Sequence, residues 1–332
     1  MTAILVDIGR KWLRVGLMNN DDAIMVERRV ETASVGDNLL DFLQTELDSL
    51  HKAGERDVAI VLGAPGPFSG GIFTPMAGND ALKAIRLHDL REKWPNTYVV
   101  HDVVGGAFST AHLRQGDFRL ISADTSDNPV SKPTLPEPNA STLYIQTGIG
   151  LGACALVPLP SGGRMPFSSE GGSMTIAPHP KDEDEQRVYE ALSARSDNEW
   201  GYVTAQYLLS APTLSHIYSA IPGAEMGVAH ERVPALAQRG DECARRAMRV
   251  FAGFLGTVAG DMALSFRAYS GVYIGGPIIG QLEPDICAKF LERFSERGEQ
   301  NRQLRDVPAY AVTDEFNALL GLREVLREVR KA

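Results

Sequence analysis

Apolar positions follow two rhythms along this chain, and the changes of rhythm mark its elements. Ala3 to Met18 reads AILVDIGRKWLRVGLM, an apolar strand, a short glycine-bearing turn and a second apolar strand. Leu143 to Val157, LYIQTGIGLGACALV, repeats the arrangement. Each predicts a β-hairpin. Further strands are predicted over Val58–Leu62, Thr97–His101 and Ser270–Gly276, with an edge strand over Tyr310–Val312. The strand from Thr97 runs into an acid, Asp102, followed by Gly105-Gly106. Between 38 and 52, Leu39, Leu40, Phe42, Leu43, Leu47 and Leu50 fall at helical spacing and predict an amphipathic helix. Helices are also expected over 87–93, 103–113, 182–194, 202–220, 285–297 and 317–330. A long helical region over 231–264 should break near Gly240-Asp241 or Gly256. Residues 19–22 and 63–67 read as turns, and 158–163 as a loop. Residues 124–141, with Pro129, Pro133, Pro136 and Pro138 and no periodicity, read as a linker. Strands alternating with helices point to an α/β protein with two related sheets.

Composition narrows the class. A chain of 332 residues is long for one core, so two lobes are expected. The net charge of −9 and pI near 5.4 argue against nucleic-acid and anionic-membrane partners. MTAILVDIG lacks a basic n-region, and no apolar run reaches the ~18 residues of a bilayer span, so a cytoplasmic protein is expected. Cys154, Cys243 and Cys287 lie far apart, form no zinc spacing, and read as buried thiols of a reducing compartment. No metal-ligand cluster is evident.

A duplicated strand–glycine turn–strand element, with an Asp at the end of an intervening strand, resembles the superfamily of actin, hexokinase and the heat-shock ATPases. Within it the chain resembles the bacterial glucokinase family. Asp7-Ile8-Gly9-Arg10-Lys11-Trp12-Leu13-Arg14 follows that family's D-x-G-G-T-x-x-R turn. His101-Asp102 follows its strand-end Asn-Asp, and Gly148-Ile149-Gly150-Leu151-Gly152 its second turn, G-T-G-x-G. Glu170-Gly171-Gly172-Ser173 follows the sugar loop E-G-G-H, with Ala177-Pro178 at the same spacing. Gln206 occupies the place of a sugar-binding Glu, and Gly275-Gly276 follows an adenosine motif.

The resemblance implies a two-lobed actin-like ATPase (ribonuclease H-like) fold with a central cleft, its small domain at 1–113 plus 317–332 and its large one at 114–316. It implies ATP with Mg²⁺, a hexose substrate, a homodimer, and Asp102 as catalytic base. The sugar site would hold Asn79, His101, Asp102, Glu170, Ser173 and Gln206. The nucleotide site would hold Asp7, Gly9, Arg10, Lys11, Gly148, Ile149, Gly150, Gly275 and Gly276.

These assignments have physical reasons. Glycine turns let backbone N–H groups approach phosphate oxygens. A carboxylate at the acceptor hydroxyl contributes about 10²–10⁴-fold as a base. Each residue also has a structural reading. Asp102 could cap the helix after it, Glu170 could be a plain loop acid, His101 a satisfied strand-end histidine, and Trp12 packing. The acidic run 182–185 suits a helix N-terminus, and His179 shows no partner.

Departures from the pattern cluster at the site. Arg10 and Lys11 stand where it has Gly and Thr, and Ile149 where it has Thr. His101, Ser173 and Gln206 stand for Asn, His and Glu. Three altered sugar hydrogen bonds would weaken glucose binding by roughly 10²–10⁴-fold if uncompensated. Two readings therefore stand: an ATP-dependent hexose kinase, favoured by Asp7, Asp102 and Glu170, or a catalytically weakened relative that binds a sugar or a partner.

Overall fold

In the computed structural model, residues 2–331 are described apart from 10, 36–38, 53, 55–56, 67, 74–84, 124–139, 161 and 199–200. The chain divides into two compact units, Met1–His112 with Glu315–Ala332, and Leu113–Asp314.

The first unit opens with the hairpin expected from the sequence. Strands β1 (Thr2–Ile8) and β2 (Trp12–Met18) pair antiparallel from Ala3↔Met18 to Ile8↔Leu13. The turn after β2 is tied by Asn19, whose Oδ1 accepts from the N–H groups of Asp21 and Ala23. It leads into β3 (Ile24–Glu31), a strand the apolar pattern did not reveal because its exposed face is charged. Helices α1 (Thr32–Val35) and α2 (Leu39–Lys52) follow, then β4 (Val58–Ala64). Three two-residue strands, β5 (Phe68–Ser69), β6 (Ile72–Phe73) and β7 (Ile85–Arg86), make a small sheet. Helix α3 (Leu87–Lys93), strand β8 (Thr97–His101) and helix α4 (Asp102–Ser109) complete the run. The main sheet has the order β3-β2-β1-β4-β8, with β4 parallel to β1 and to β8.

Every residue of β1 is buried, as a central strand covered on both faces should be. Leu39, Leu43 and Leu47 of α2 join Ile4, Val6 and Ile8 in one core. The C-terminal helix Asn317–Lys331 packs on α4. Their approach is so close that a Cβ on Gly321 would lie 1.6 Å from the Gly105 carbonyl oxygen. Gly105, inside α4, is therefore a packing notch for the C-terminal helix.

The second unit contains β9 (Phe118–Leu120), β10 (Thr142–Thr147), β11 (Leu151–Pro158), β12 (Arg164–Ser169), β13 (Val272–Gly275) and β14 (Ala309–Val312). Their order is β12-β11-β10-β13-β14-β9. The β10–β11 pair is the second expected hairpin, running from Thr142↔Leu156 to Thr147↔Leu151. Strand β14 is not an edge strand, because β9 pairs antiparallel along its outer side. β9 is too short to stand out in the sequence. The proposed linker lies largely outside the described residues.

Its helices are α5 (Glu183–Ser193), α6 (Ala205–Leu208), α7 (Thr213–Ala220), α8 (Val233–Gln238), α9 (Glu242–Ser265), α10 (Pro284–Ser295) and α11 (Asn301–Arg305). Asp182 caps α5 by accepting from the Glu185 N–H, so the acidic run does begin a helix. The single helix expected over 202–220 is two, separated around Pro212, which lacks the N–H a continuous helix needs. The long helical region breaks at Gly240-Asp241 and runs through Gly256. A Cβ on Gly256 would lie 2.3 Å from the Phe290 carbonyl oxygen, so this glycine lets α10 lie close on α9. By length and composition α9 could cross a bilayer, yet 78% of its most apolar stretch is buried inside the protein. His179 finds its partner in Glu296, 3.4 Å from Nε2. Cys154 and Cys287 are buried and Cys243 half-buried, all as free thiols.

Candidate active site

In the first unit the site residues collect at the carboxyl ends of the parallel strands, where open α/β sheets place their ligands. Pairing sets Asp7 of β1 opposite Gly63 of β4, and Ala64 opposite His101 of β8. Asp102 is the first residue of α4. A Cβ on Gly63 would sit 3.6 Å from Asp7 Oδ1 and 3.5 Å from the Asp102 Cα, so this bare position separates the two acids.

Asp7 is 9% exposed, and Arg14, its cross-strand neighbour, donates through Nη1 to Oδ2 at 3.0 Å. Burial nevertheless outweighs the guanidinium. With a further contribution from the negative charge of Asp102, it raises the Asp7 pKa to about 6. The first glycine turn is closed by Gly9 N–H donating to the Trp12 carbonyl at 3.0 Å. Thr32 pins it from outside, its Oγ1 donating to the Gly9 carbonyl and its N–H to that of Lys11. Nothing in the motif pointed to Thr32, which lies beyond the hairpin. Lys11 is exposed, its Nζ 5.9 Å from the Trp12 ring centre. Arg10 and Asn79 lie outside the described residues.

Asp102 has a half-open side chain, 27% exposed. Its Oδ1 accepts from the Val103 N–H at 2.8 Å and lies 2.7 Å from His101 Nδ1. Among the described residues its Oδ2 takes no hydrogen bond. Asp102 lies just inside the helix, whose N-cap position is His101, so this contact to its own neighbour is not a cap, and it occupies only one of the two oxygens.

In the second unit, Gly148, Ile149 and Gly150 form the turn between β10 and β11, where the Gly148 N–H donates to the Gly150 carbonyl at 3.0 Å. Space beside Gly148 is open, with no atom within 4 Å of where a Cβ would stand. Ile149 is 42% exposed. Gly275 and Gly276 lie against the foot of this turn. Thr147 Oγ1 donates to the Gly275 carbonyl at 3.0 Å, and Gly276 adopts φ +137° with no room for a side chain beside the Thr147 carbonyl. Glu170 precedes the single 3₁₀ turn Gly171–Ser173, and its carbonyl accepts from the Ser173 N–H. Gln206 joins the two regions: its Nε2 donates to Ser173 Oγ at 3.4 Å, and its Oε1 lies 3.7 Å from the Cβ position of Gly150. The structure thus gathers Gly148, Ile149, Gly150, Ser173, Gln206, Gly275 and Gly276 in this unit, and Asp7, Gly9, His101 and Asp102 in the other.

Two sheets of one topology, each with a hairpin and a glycine turn beside parallel strands, define the actin-like ATPase fold. The glucokinase from an Antarctic psychrotroph superposes with a TM-score of 0.77 at 22% identity, over 98% of this chain and 99% of that one. The Balamuthia mandrillaris glucokinase, solved with glucose, gives 0.76 at 18% identity, over 98% and 93%. The chain belongs to the glucokinase family, whose profile matches residues 4–329. A glucokinase-like protein of Caulobacter vibrioides is 33% identical over 315 residues, 93% of this chain and 92% of that protein. The glucokinase of Cupriavidus metallidurans is 41% identical over 197 residues, 57% of this chain and 56% of its own.

Proposed function

We propose that the chain is an ATP-dependent hexose kinase of glucokinase type, transferring the γ-phosphoryl group to the 6-hydroxyl of glucose or a related hexose with Asp102 as general base. The observation that carries this is the state of Asp102. It stands at the end of a parallel strand, partly open to solvent, with Oδ2 left available for a hydroxyl proton. Asn79, His101, Glu170, Ser173 and Gln206 would hold the sugar. Asp7, Gly9, Arg10, Lys11, Gly148, Ile149, Gly150, Gly275 and Gly276 would hold ATP.

The open space beside Gly148 fits phosphate oxygens approaching backbone N–H groups. Among the described residues no group of three or more His, Cys, Asp or Glu could hold a metal by itself. That fits Mg²⁺ carried mainly by nucleotide phosphates and water, with one or two carboxylates at most. It would supply charge neutralisation on the phosphates. Family membership also supports a cytoplasmic homodimer.

The test is an ATP- and Mg²⁺-dependent assay against a panel of hexoses, paired with thermal shift. Turnover with a 6-hydroxyl hexose, and a stabilising shift at millimolar Mg-ATP, are expected. A shift with a hexose but none with ATP, and no turnover, would replace the kinase by a sugar-binding relative.

A further inference from the structure

Asp102 Oδ1 accepts from the Val103 N–H at 2.8 Å, and His101 Nδ1 lies 2.7 Å from the same oxygen, within ion-pair distance. We infer that His101 is the positioning residue of the base: its Nδ1 fixes Oδ1 so that Oδ2 is the atom presented to the sugar hydroxyl, and its charge state gates that base. This rests on Asp102 acting as the base of the phosphotransfer proposed above.

The chemistry follows from what a histidine contributes here. As neutral imidazole with its proton on Nδ1, His101 orients the carboxylate without pairing its charge. The hydroxyl proton then moves to Oδ2, the hydroxyl oxygen bonds to the γ-phosphorus, and the bond from that phosphorus to the bridging oxygen breaks, its electrons leaving with ADP. As imidazolium, His101 forms an ion pair with Asp102, which weakens the carboxylate as a proton acceptor. Activity is therefore lost as pH falls through the titration of His101.

Among the described residues, the charged groups recorded beside Asp102 are Asp7 of β1 and the Arg14 of β2 that pairs with it. Strand β4 presents Gly63, and the C-terminal helix presents Leu322 at the same spot.

The inference is tested on the full chain with Mg-ATP and the best hexose of the panel. His101→Ala should lower kcat about 10–100-fold, read at saturating sugar so that any loss of sugar binding is set aside. His101→Asn, which keeps a donor near the Nδ1 position but cannot carry charge, should recover most of that kcat. Its acid limb should lie about one pH unit or more below that of the unmodified protein. Unchanged kcat in His101→Ala overturns the inference. So does an acid limb that stays in place in His101→Asn, which would assign it to Asp7. Proton NMR of the His101 ring gives a readout that needs no turnover. Its titration midpoint should fall by about half a pH unit or more in Asp102→Asn, because a neighbouring carboxylate favours imidazolium. No change there overturns the contact. Full turnover in Asp102→Asn with the NMR shift present would instead remove the base reading and leave the contact standing.

Discussion

The two main sheets share one plan, the second extended by β9, and their matched strand ends carry different chemistry. Asp7 on β1 faces Gly63 across a parallel pair and Arg14 across the hairpin. Gln146 on β10 faces Gly275 across the parallel pair and Gly152 across the hairpin. Each sheet thus sets a polar side chain against a glycine at the strand end beside its glycine turn. In the first the side chain is a buried acid balanced by a guanidinium. In the second it is an amide, accepting from the Tyr144 hydroxyl and donating to the Thr147 carbonyl. The duplicated scaffold carries ionisable chemistry in one copy and neutral hydrogen bonding in the other. Burial of a carboxylate makes the first copy pH-sensitive, and an amide cannot do the same for the second.

The largest effect should come from the acid on the charged side. Asp102→Ala is expected to reduce hexose-kinase turnover by about 10²–10⁴-fold, the usual contribution of a positioned base. The far-ultraviolet CD spectrum should stay unchanged, because the side chain is partly exposed and the backbone of the helix that begins there does not depend on it. Turnover within tenfold of the unmodified protein would dissociate the charged copy from catalysis.

Next comes the contrast between the glycines. Gly276→Ala must fit a methyl 2.4 Å from the Thr147 carbonyl oxygen at φ +137°, where only glycine is at ease. A loss of about 2–4 kcal/mol in urea unfolding is expected. Gly63→Ala meets its nearest atoms at 3.5 Å, ordinary contact, and should cost about 1 kcal/mol or less. Equal losses would mean that the first sheet is as tightly closed as the second.

Much of this plan was legible in the sequence because hairpin registers follow from apolar alternation and turn length. The Asp7–Arg14 pair could have been read from the same register, since strands joined by the Gly9–Trp12 turn place these residues opposite each other. What escaped had little apolar signal. Strand β3 shows charged Glu27, Arg28 and Arg29, β12 is mostly exposed, and β9 has only three residues. Tertiary approach decided Gly105, Gly256 and Gly321, and no local pattern announces a helix crossing. Ser173 and Gln206 were placed through the family resemblance, but their hydrogen bond to each other depends on a loop and a helix start 33 residues apart.

The pH response sharpens the comparison further. Asp7 binds its proton more tightly in the folded protein than in an unfolded chain, since its pKa is raised from the model-peptide 3.8 to about 6. Its neutral form therefore contributes stability that is complete below about pH 4 and is lost as pH rises through about 6. Most other shifted carboxylates act in the opposite sense. Against the upward push of burial, Asp22 and Asp285 are lowered by their arginines, Asp182 by the Glu185 N–H and then Lys289, and Glu324 by His112 and its arginines, and the stability they add is lost as pH falls. A difference between proteins isolates Asp7. Between pH 4 and pH 7, Asp7→Asn should gain roughly 2–3 kcal/mol relative to the unmodified protein, the equivalent of a two-unit shift. The cost of leaving Arg14 without its carboxylate does not vary over that range and cancels from the slope. A flat difference would place the Asp7 carboxylate in a wetter site than its burial implies.

The smallest effect on stability belongs to the neutral side, and it carries the most information about the ligand. Ser173 is exposed, and its bond from Gln206 is long at 3.4 Å, so Ser173→Ala or Gln206→Ala should change unfolding free energy by no more than about 0.5 kcal/mol. In the proposed function this pair would hold the sugar. Gln206 offers an amide where the family pattern has a carboxylate, and Ser173 a short hydroxyl where it has an imidazole. With their side chains engaged on one another, neither offers the charge-assisted acceptor that a sugar hydroxyl favours. The double change Ser173→His with Gln206→Glu should raise glucose affinity about tenfold, or ~1.4 kcal/mol, by calorimetry. The same change in an Asp7→Asn background should give the same gain if the charged and neutral copies act independently. No gain in either background would point to a ligand other than glucose at Ser173 and Gln206, or to none.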